Sequence, residues 1–223
     1  PASSQIYDIH GNEIANIHAA ENRRPIGINE IPKNLQNAFI AVEDNRFYDH
    51  IGIDPRGIVR AIWANIRGRT LTEGGSTITQ QLAKNAYLTQ DRTLKRKVQE
   101  VFLALQLERQ YTKQEILELY MNQIYFGQGA YGVQAAARTY FGKDAKDLTL
   151  NECAMLAGIP KSPNYYSPVN NMDAATERKA VVLDQMVKHG YISDSEAAAA
   201  KKEPLHIAKN TNDGGKSASY FVD

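Results

Sequence analysis

The chain has 223 residues, 43% of them hydrophobic, which is enough to bury a sizeable core. Its 26 basic and 25 acidic side chains leave a formal net charge of +1, which argues against a nucleic-acid binder that depends on excess positive charge. The single cysteine, Cys153, lies in the apolar run CAMLAG and cannot form an internal disulfide, and no stretch approaches the roughly 20 apolar residues of a membrane span.

In chain order, SQIYDIHGNEIANI alternates short apolar stretches around His10-Gly11-Asn12 and predicts a small β-hairpin within residues 1–20. Almost everything after it predicts helix. In IPKNLQNAFIAVED the apolar Leu35, Ala38, Phe39 and Val42 recur at helical spacing, and Glu43 falls on the border of that stripe. A carboxylate there loses part of its hydration and so takes up a proton more readily, which suits a general base, whereas Arg46 one turn later opposes this. The same stretch, AVEDNRFYDHIG, also reads as a solvated helix end.

The next segment, GIDPRGIVRAIWANIRGRTL, sets apolar Ile58, Ile62, Trp63 and Ile66 against basic Arg56, Arg60, Arg67 and Arg69. That is an interfacial pattern, in which apolar side chains enter the headgroup boundary and arginines meet anionic lipid; a plain amphipathic core helix is its alternative. In EGGSTITQQLAKN, Gly74 and Gly75 precede Ser76, Thr77 and a short helix containing Ile78 and Leu82. Backbone N–H groups at such a start, the two hydroxyls and Lys84 suit a phosphate or diphosphate, although the same residues also make an ordinary helix cap. No lysine directly follows the glycines, so this is not a nucleotide-binding loop.

The helix TLKRKVQEVFLALQLERQ carries Leu94, Val98, Val101 and Leu105 on one face and Leu103 with Leu107 on another, which predicts a central position. Arg96 and Glu100 share the second face, either as a plain ion pair or as charges placed on a leucine stripe for a purpose. Capping boxes mark three later helix starts, at Thr112 with Glu115, Thr149 with Glu152, and Ser193 with Glu196. Gly158 and Pro160 close one helix, Gly190 closes another that begins after Asp173, and NTNDGGKSAS opens a polar linker over residues 210–223. Two acids on separate helices and a cradle suited to diphosphate predict group transfer from a phosphorylated donor; spacing alone does not name the substrate.

The motifs resemble the peptidoglycan glycosyltransferase domain of glycosyltransferase family 51, found in class A penicillin-binding proteins and monofunctional glycosyltransferases. EDNRFYDHIG fits the pattern E-D-x-x-F-x-x-H-x-G, GGSTITQQ fits G-x-S-T-x-T-Q-Q, RKVQE fits R-K-x-x-E and KQEILELYMN fits K-x-x-I-L-x-x-Y-x-N, in family order. A fifth pattern, R-R-x-x-V-L, is present as RKAVVL, with Lys179 in place of an arginine and its forked contact. The likeness runs from about Ile6 to Ala208.

That resemblance implies a mainly α, lysozyme-like, two-lobed helical fold with the small N-terminal β-hairpin, a glycosyltransferase domain over 21–209 and a membrane-touching small lobe near 51–73. It implies that Glu43 deprotonates the acceptor 4-hydroxyl of lipid II, the lipid-linked end of the growing glycan chain being the donor. A single inverting displacement would form a β-1,4 bond and release polyprenyl diphosphate. Glu100 would be the second essential carboxylate, near the diphosphate. Arg46, Lys84, Arg96 and Arg178 would neutralise that leaving group. The remaining motif positions implied to bind substrate are Asp44, Phe47, His50, Ser76, Thr77, Thr79, Gln80, Gln81, Lys97, Tyr120, Asn122 and Tyr125. A divalent cation, Mg or Mn, would bind mainly through the diphosphate, with no protein ligand assigned. The implied setting is the outer face of the bacterial cytoplasmic membrane, with the cell-wall synthesis machinery as a further partner and no nucleic acid. The chain starts at Pro1 without the family's N-terminal anchor, and its final SYFVD resembles the lead into a transpeptidase domain, so a piece of a bifunctional protein is expected rather than a complete monofunctional one. The rival readings are a lysozyme-like hydrolase or lytic transglycosylase, which needs no diphosphate cradle, and a non-catalytic membrane scaffold, which leaves Glu100 unexplained.

Overall fold

The structure, a computed structural model, describes residues 4–7, 13–17, 22–57, 59, 63, 75–87 and 94–208. Helix dominates, as the sequence predicts. The described α-helices are α1 Lys33–Glu43, α2 Ile78–Tyr87, α3 Leu94–Gln110, α4 Lys113–Gln123, α5 Val133–Phe141, α6 Leu150–Gly158, α7 Met172–Lys188 and α8 Asp194–Lys202. Strands β1 Ser4–Tyr7 and β2 Glu13–Ile17 pair antiparallel, while the turn expected between them lies outside the described residues. The two-residue strands β3 Asn22–Arg23 and β4 Ala130–Tyr131 pair in parallel. Most of the predicted segment 51–73, Gly74 and the 210–223 linker also lie outside the described residues.

The capping boxes read from sequence form as reciprocal pairs. Thr112, Thr149 and Ser193 each accept the N–H of the glutamate three residues on, and each glutamate accepts the cap's own N–H, so two donors left over by the helical pattern are satisfied at each start. Helix α7 starts slightly earlier than expected, because Asn171, whose side chain accepts the Ala174 N–H at 3.1 Å, is its cap. Its stop is as read, with Gly190 at φ +74°.

Helices α6 and α7 pack on each other and α1 packs against both, while α2 packs on α3 and α4. At the centre Phe39 of α1 meets Tyr120 of α4 and Phe126 edge-on, with ring centroids 5.8 and 6.1 Å away. Helix α3 departs from the two-faced reading. It buries Glu100, Ala104 and Leu107, one stripe at i, i+4, i+7, but leaves Val98 and Phe102 exposed. Its packing against α2 and α4 covers one side of the cylinder. Α sequence that is apolar on two sides does not say which of them will be covered.

Candidate active site

Helix α1 ends at two consecutive acids, and the backbone separates them. Asp44 leaves helical geometry at φ −159° and ψ 73°, so its carboxylate points inward while Glu43 stays half-buried on the last turn. Asp44 accepts the Nε2–H of His50 at 2.8 Å and the backbone N–H of Ile78, at the start of α2, at 3.0 Å. The other imidazole nitrogen, Nδ1, accepts the Gly52 N–H at 3.1 Å, which leaves the proton on Nε2 and makes His50 the neutral tautomer here. Gly52 in turn accepts the Thr77 hydroxyl at 2.6 Å. Its own φ is +99°, and a Cβ there would lie 2.9 Å from the Ala104 carbonyl oxygen of α3, so no other residue fits. Phe47 is fully buried with its ring edge-on to His50, and the Lys113 ammonium sits 4.6 Å from its centroid. In this geometry Asp44, Phe47, His50 and Gly52 form a clamp that fixes the end of α1 against the start of α2 and the second half of α3.

The start of α2 carries a reciprocal cap. The Thr77 N–H donates to Gln80 Oε1 at 3.0 Å and the Gln80 N–H donates to Thr77 Oγ1 at 3.1 Å, a Thr-x-x-Gln capping box. With Ile78 N–H held by Asp44, three backbone donors at this helix start, those of Thr77, Ile78 and Gln80, are used inside the protein. Thr79, also buried, donates to Glu108 at 2.6 Å, and Glu108 further receives Lys113 at 2.7 Å.

One turn further along α2, Gln81 donates its Nε2–H to Glu43 Oε2 at 2.9 Å and accepts the Tyr120 hydroxyl at 3.3 Å. The phenol of Tyr120 is fully buried, and that burial, with the nearby charges of Glu43 and Asp44, raises its pKa well above the ordinary value, so it remains a neutral donor. Glu43 is thus held by a neutral amide. Two cations share its surroundings. Burial lowers the pKa of Arg178, on α7, while the charge of Glu43 works against that; burial and then Arg178 lower that of Lys161, again opposed by Glu43. The Arg178 guanidinium lies 5.9 Å from the ring centroid of Tyr166.

The second predicted acid, Glu100, is 2% exposed. Lys97, three residues earlier, donates to its Oε1 and also to Ser76 Oγ at 2.9 Å, so Lys97 is a base held on this acid. Ser76 and Gln81 belong to one short segment, and through them both carboxylates are tied to the start of α2. Other predicted residues have further contacts. Arg46 donates to Asp54 at 3.0 Å and lies 3.7 Å from Asp49. Asn122 clamps the backbone of Ile26, accepting its N–H at 3.0 Å and donating to its carbonyl at 2.8 Å. Tyr125 is half-exposed with its ring 4.7 Å from that of Tyr131, and Lys84 is exposed in the last turn of α2. Lys161 was missed from sequence. It sits in the 3₁₀ turn Ile159–Lys161 just after the helix stop at Gly158, where the charge of Glu43, far away in sequence, acts on it.

A sequence profile described as Transglycosylase matches residues 10–187. The chain belongs to the transglycosylase family. Among its relatives, penicillin-binding protein 1F of Bacillus subtilis (strain 168) is 51% identical over 212 residues, spanning 94% of this chain and 30% of that protein. Penicillin-binding protein 1A of Escherichia coli (strain K12) is 46% identical over 219 residues, 98% of this chain and 26% of that protein. The crystal structure of penicillin-binding protein 1A from Haemophilus influenzae matches at a TM-score of 0.53 and 29% identity, covering 92% of this chain and 21% of that one. The transglycosylase chain therefore spans less than a third of the length of these relatives. The clamp, the capped α2 and the two tied carboxylates are how this transglycosylase holds the motif residues.

Proposed function

We propose that this transglycosylase polymerises lipid II into β-1,4-linked glycan strands. The observation that carries the reading is Glu43, a carboxylate held by the neutral amide of Gln81, with Arg178 and Lys161 sharing its surroundings. A base must be free to take a proton, and a departing diphosphate needs positive charge close by. Glu43 removes the proton of the acceptor 4-hydroxyl. The acceptor oxygen forms its bond to the donor anomeric carbon as the bond from that carbon to the diphosphate oxygen breaks, and the electron pair leaves on the diphosphate with inversion. Arg178, Lys161, Lys84 and Arg96 neutralise the developing charge. Glu100 orients Lys97 toward the same group through their ion pair. Among the described residues no cluster of three or more His, Cys, Asp or Glu is placed to hold a metal ion. We infer that a Mg or Mn ion, when bound with the substrate diphosphate, would lower its negative charge.

Substrate with a polyprenyl tail requires the site to meet a membrane. No described helix is long and apolar enough to cross one. Exposed Val59 and Trp63, with exposed Arg56, support contact with a lipid surface, on the outer face of the bacterial cytoplasmic membrane where the cell-wall machinery would also be met.

The test is incubation of the chain and of Glu43→Gln with lipid II, following polymer and released polyprenyl diphosphate. The variant keeps its fold and loses about 10²–10⁴-fold in turnover, the usual cost of removing a general base. Near-normal turnover of the variant excludes Glu43 as base. Cleavage of finished glycan without polymer formation favours a hydrolase instead.

A further inference from the structure

We infer that Gly158 is a positioning residue for the reaction, an open seat on the last turn of α6 across which the stem of Arg178 lies. The inference deepens the reading above and rests on Arg178 acting beside Glu43. Gly158 has φ −78° and ψ −29°, ordinary right-handed helix, so its backbone does not require glycine. Alanine there would be favoured by helix propensity alone. What a side chain would disturb is space. A Cβ at Gly158 would stand 2.9 Å from Cγ of Arg178 and 3.6 Å from its Cβ. The first distance is closer than non-bonded carbons approach, and the second is ordinary contact.

Arg178 has little freedom to move aside, because it is only 5% exposed. Its Nε is buried and has no hydrogen-bond partner among the described residues, so that atom does not anchor the head. The guanidinium instead lies over Tyr166, whose own backbone N–H donates to the Ser162 carbonyl at 2.8 Å within the turn that follows α6. The stem on its glycine seat and the head over its ring therefore fix where the positive charge stands. Displacing the stem at Cγ swings the head, which lies three bonds beyond it. The charge of Glu43 opposes the effect of burial on Arg178 in the present arrangement.

A double-mutant cycle over Gly158→Ala and Arg178→Ala tests this, with lipid II polymerisation and thermal unfolding measured for all four proteins. Gly158→Ala alone lowers kcat about tenfold to hundredfold, the scale of a catalytic group displaced by about 1 Å, with KM for lipid II little changed. In the Arg178→Ala background, where no Cγ remains to be struck, the same substitution has no further effect on kcat. Full activity of Gly158→Ala, or an equal loss in both backgrounds, overturns the seat. If Gly158→Ala fails to fold while the double variant folds, the clash is with the arginine stem and the seat stands; failure of both overturns it. Absence of polymer from the unaltered chain would sink the functional reading separately, and coupled or additive unfolding midpoints across the four proteins would still decide for or against the seat.

Discussion

Glu43 and Asp44 are adjacent in sequence and have opposite surroundings. Asp44 is 7% exposed and receives two donors, one from a side chain and one from the first turn of α2, whereas Glu43 receives an amide and faces cations. The extended φ of Asp44 makes that division, and the sequence carries no sign of it beyond the pair of acids. Cys153 shows the same dependence on surroundings. Burial, with a smaller contribution from Glu152, pushes its thiol from 9.0 up to about 12, against the pull of Lys143. A raised pKa means that the folded chain holds this proton more tightly than the unfolded one. Its contribution to stability is intact below pH 9 and is lost as the pH rises toward 12. The native chain should resist alkylation by iodoacetamide at about pH 8 and react once unfolded in guanidinium, because only the thiolate attacks. Rapid modification of the folded chain would contradict this. Denaturation curves for Cys153→Ala should fall less steeply with alkali over that interval than those of the parent.

Among the elements, α2 depends most on its cap. Thr77 accepts the Gln80 N–H and donates to the Gly52 carbonyl, so its hydroxyl joins the helix start to the clamp at the end of α1. Thr77→Val keeps the volume and removes both bonds. The loss should be about 2 kcal/mol or more, a cap's worth plus buried polar groups left without partners, read as a lower urea midpoint with unchanged slope. A change within about 0.5 kcal/mol would mean that other groups replace the hydroxyl. The Thr-x-x-Gln signal is present in the sequence, but the glycines and hydroxyls of this segment fit an anion cradle as well as a cap. The capping boxes with glutamate had no such rival use and were legible directly.

For the whole molecule, the site exists because α1 is packed on α6 and α7 at one side while α2 is tied to its end at the other. Phe39, on α1, is fully buried against the rings of Tyr120 and Phe126. Phe39→Ala should cost about 3–5 kcal/mol, a large share of the roughly 5–15 kcal/mol that holds a domain together. Chemical denaturation would show a midpoint shifted far downward, and polymerisation should fall in proportion to the folded fraction. A small shift would mean that the neighbouring rings collapse into the space.

By itself the sequence determined the helical class, the capped helix starts, the glycine stops and the presence of two acids outside any ordinary surface pattern. These follow from contacts within three or four residues, so local spacing is enough to specify them. The pairing of Lys97 with Glu100 is also local, but two bases precede that acid within one turn, and the rotamer that reaches it depends on Ser76 from another segment. Only the tertiary structure decided which side of α3 is covered, that Asp44 and His50 hold one another in a clamp, and that Lys161 and Arg178 stand where the charge of Glu43 acts on both. Each of those depends on groups far apart in the chain, and no spacing rule carries the distance between side chains that meet only when helices pack.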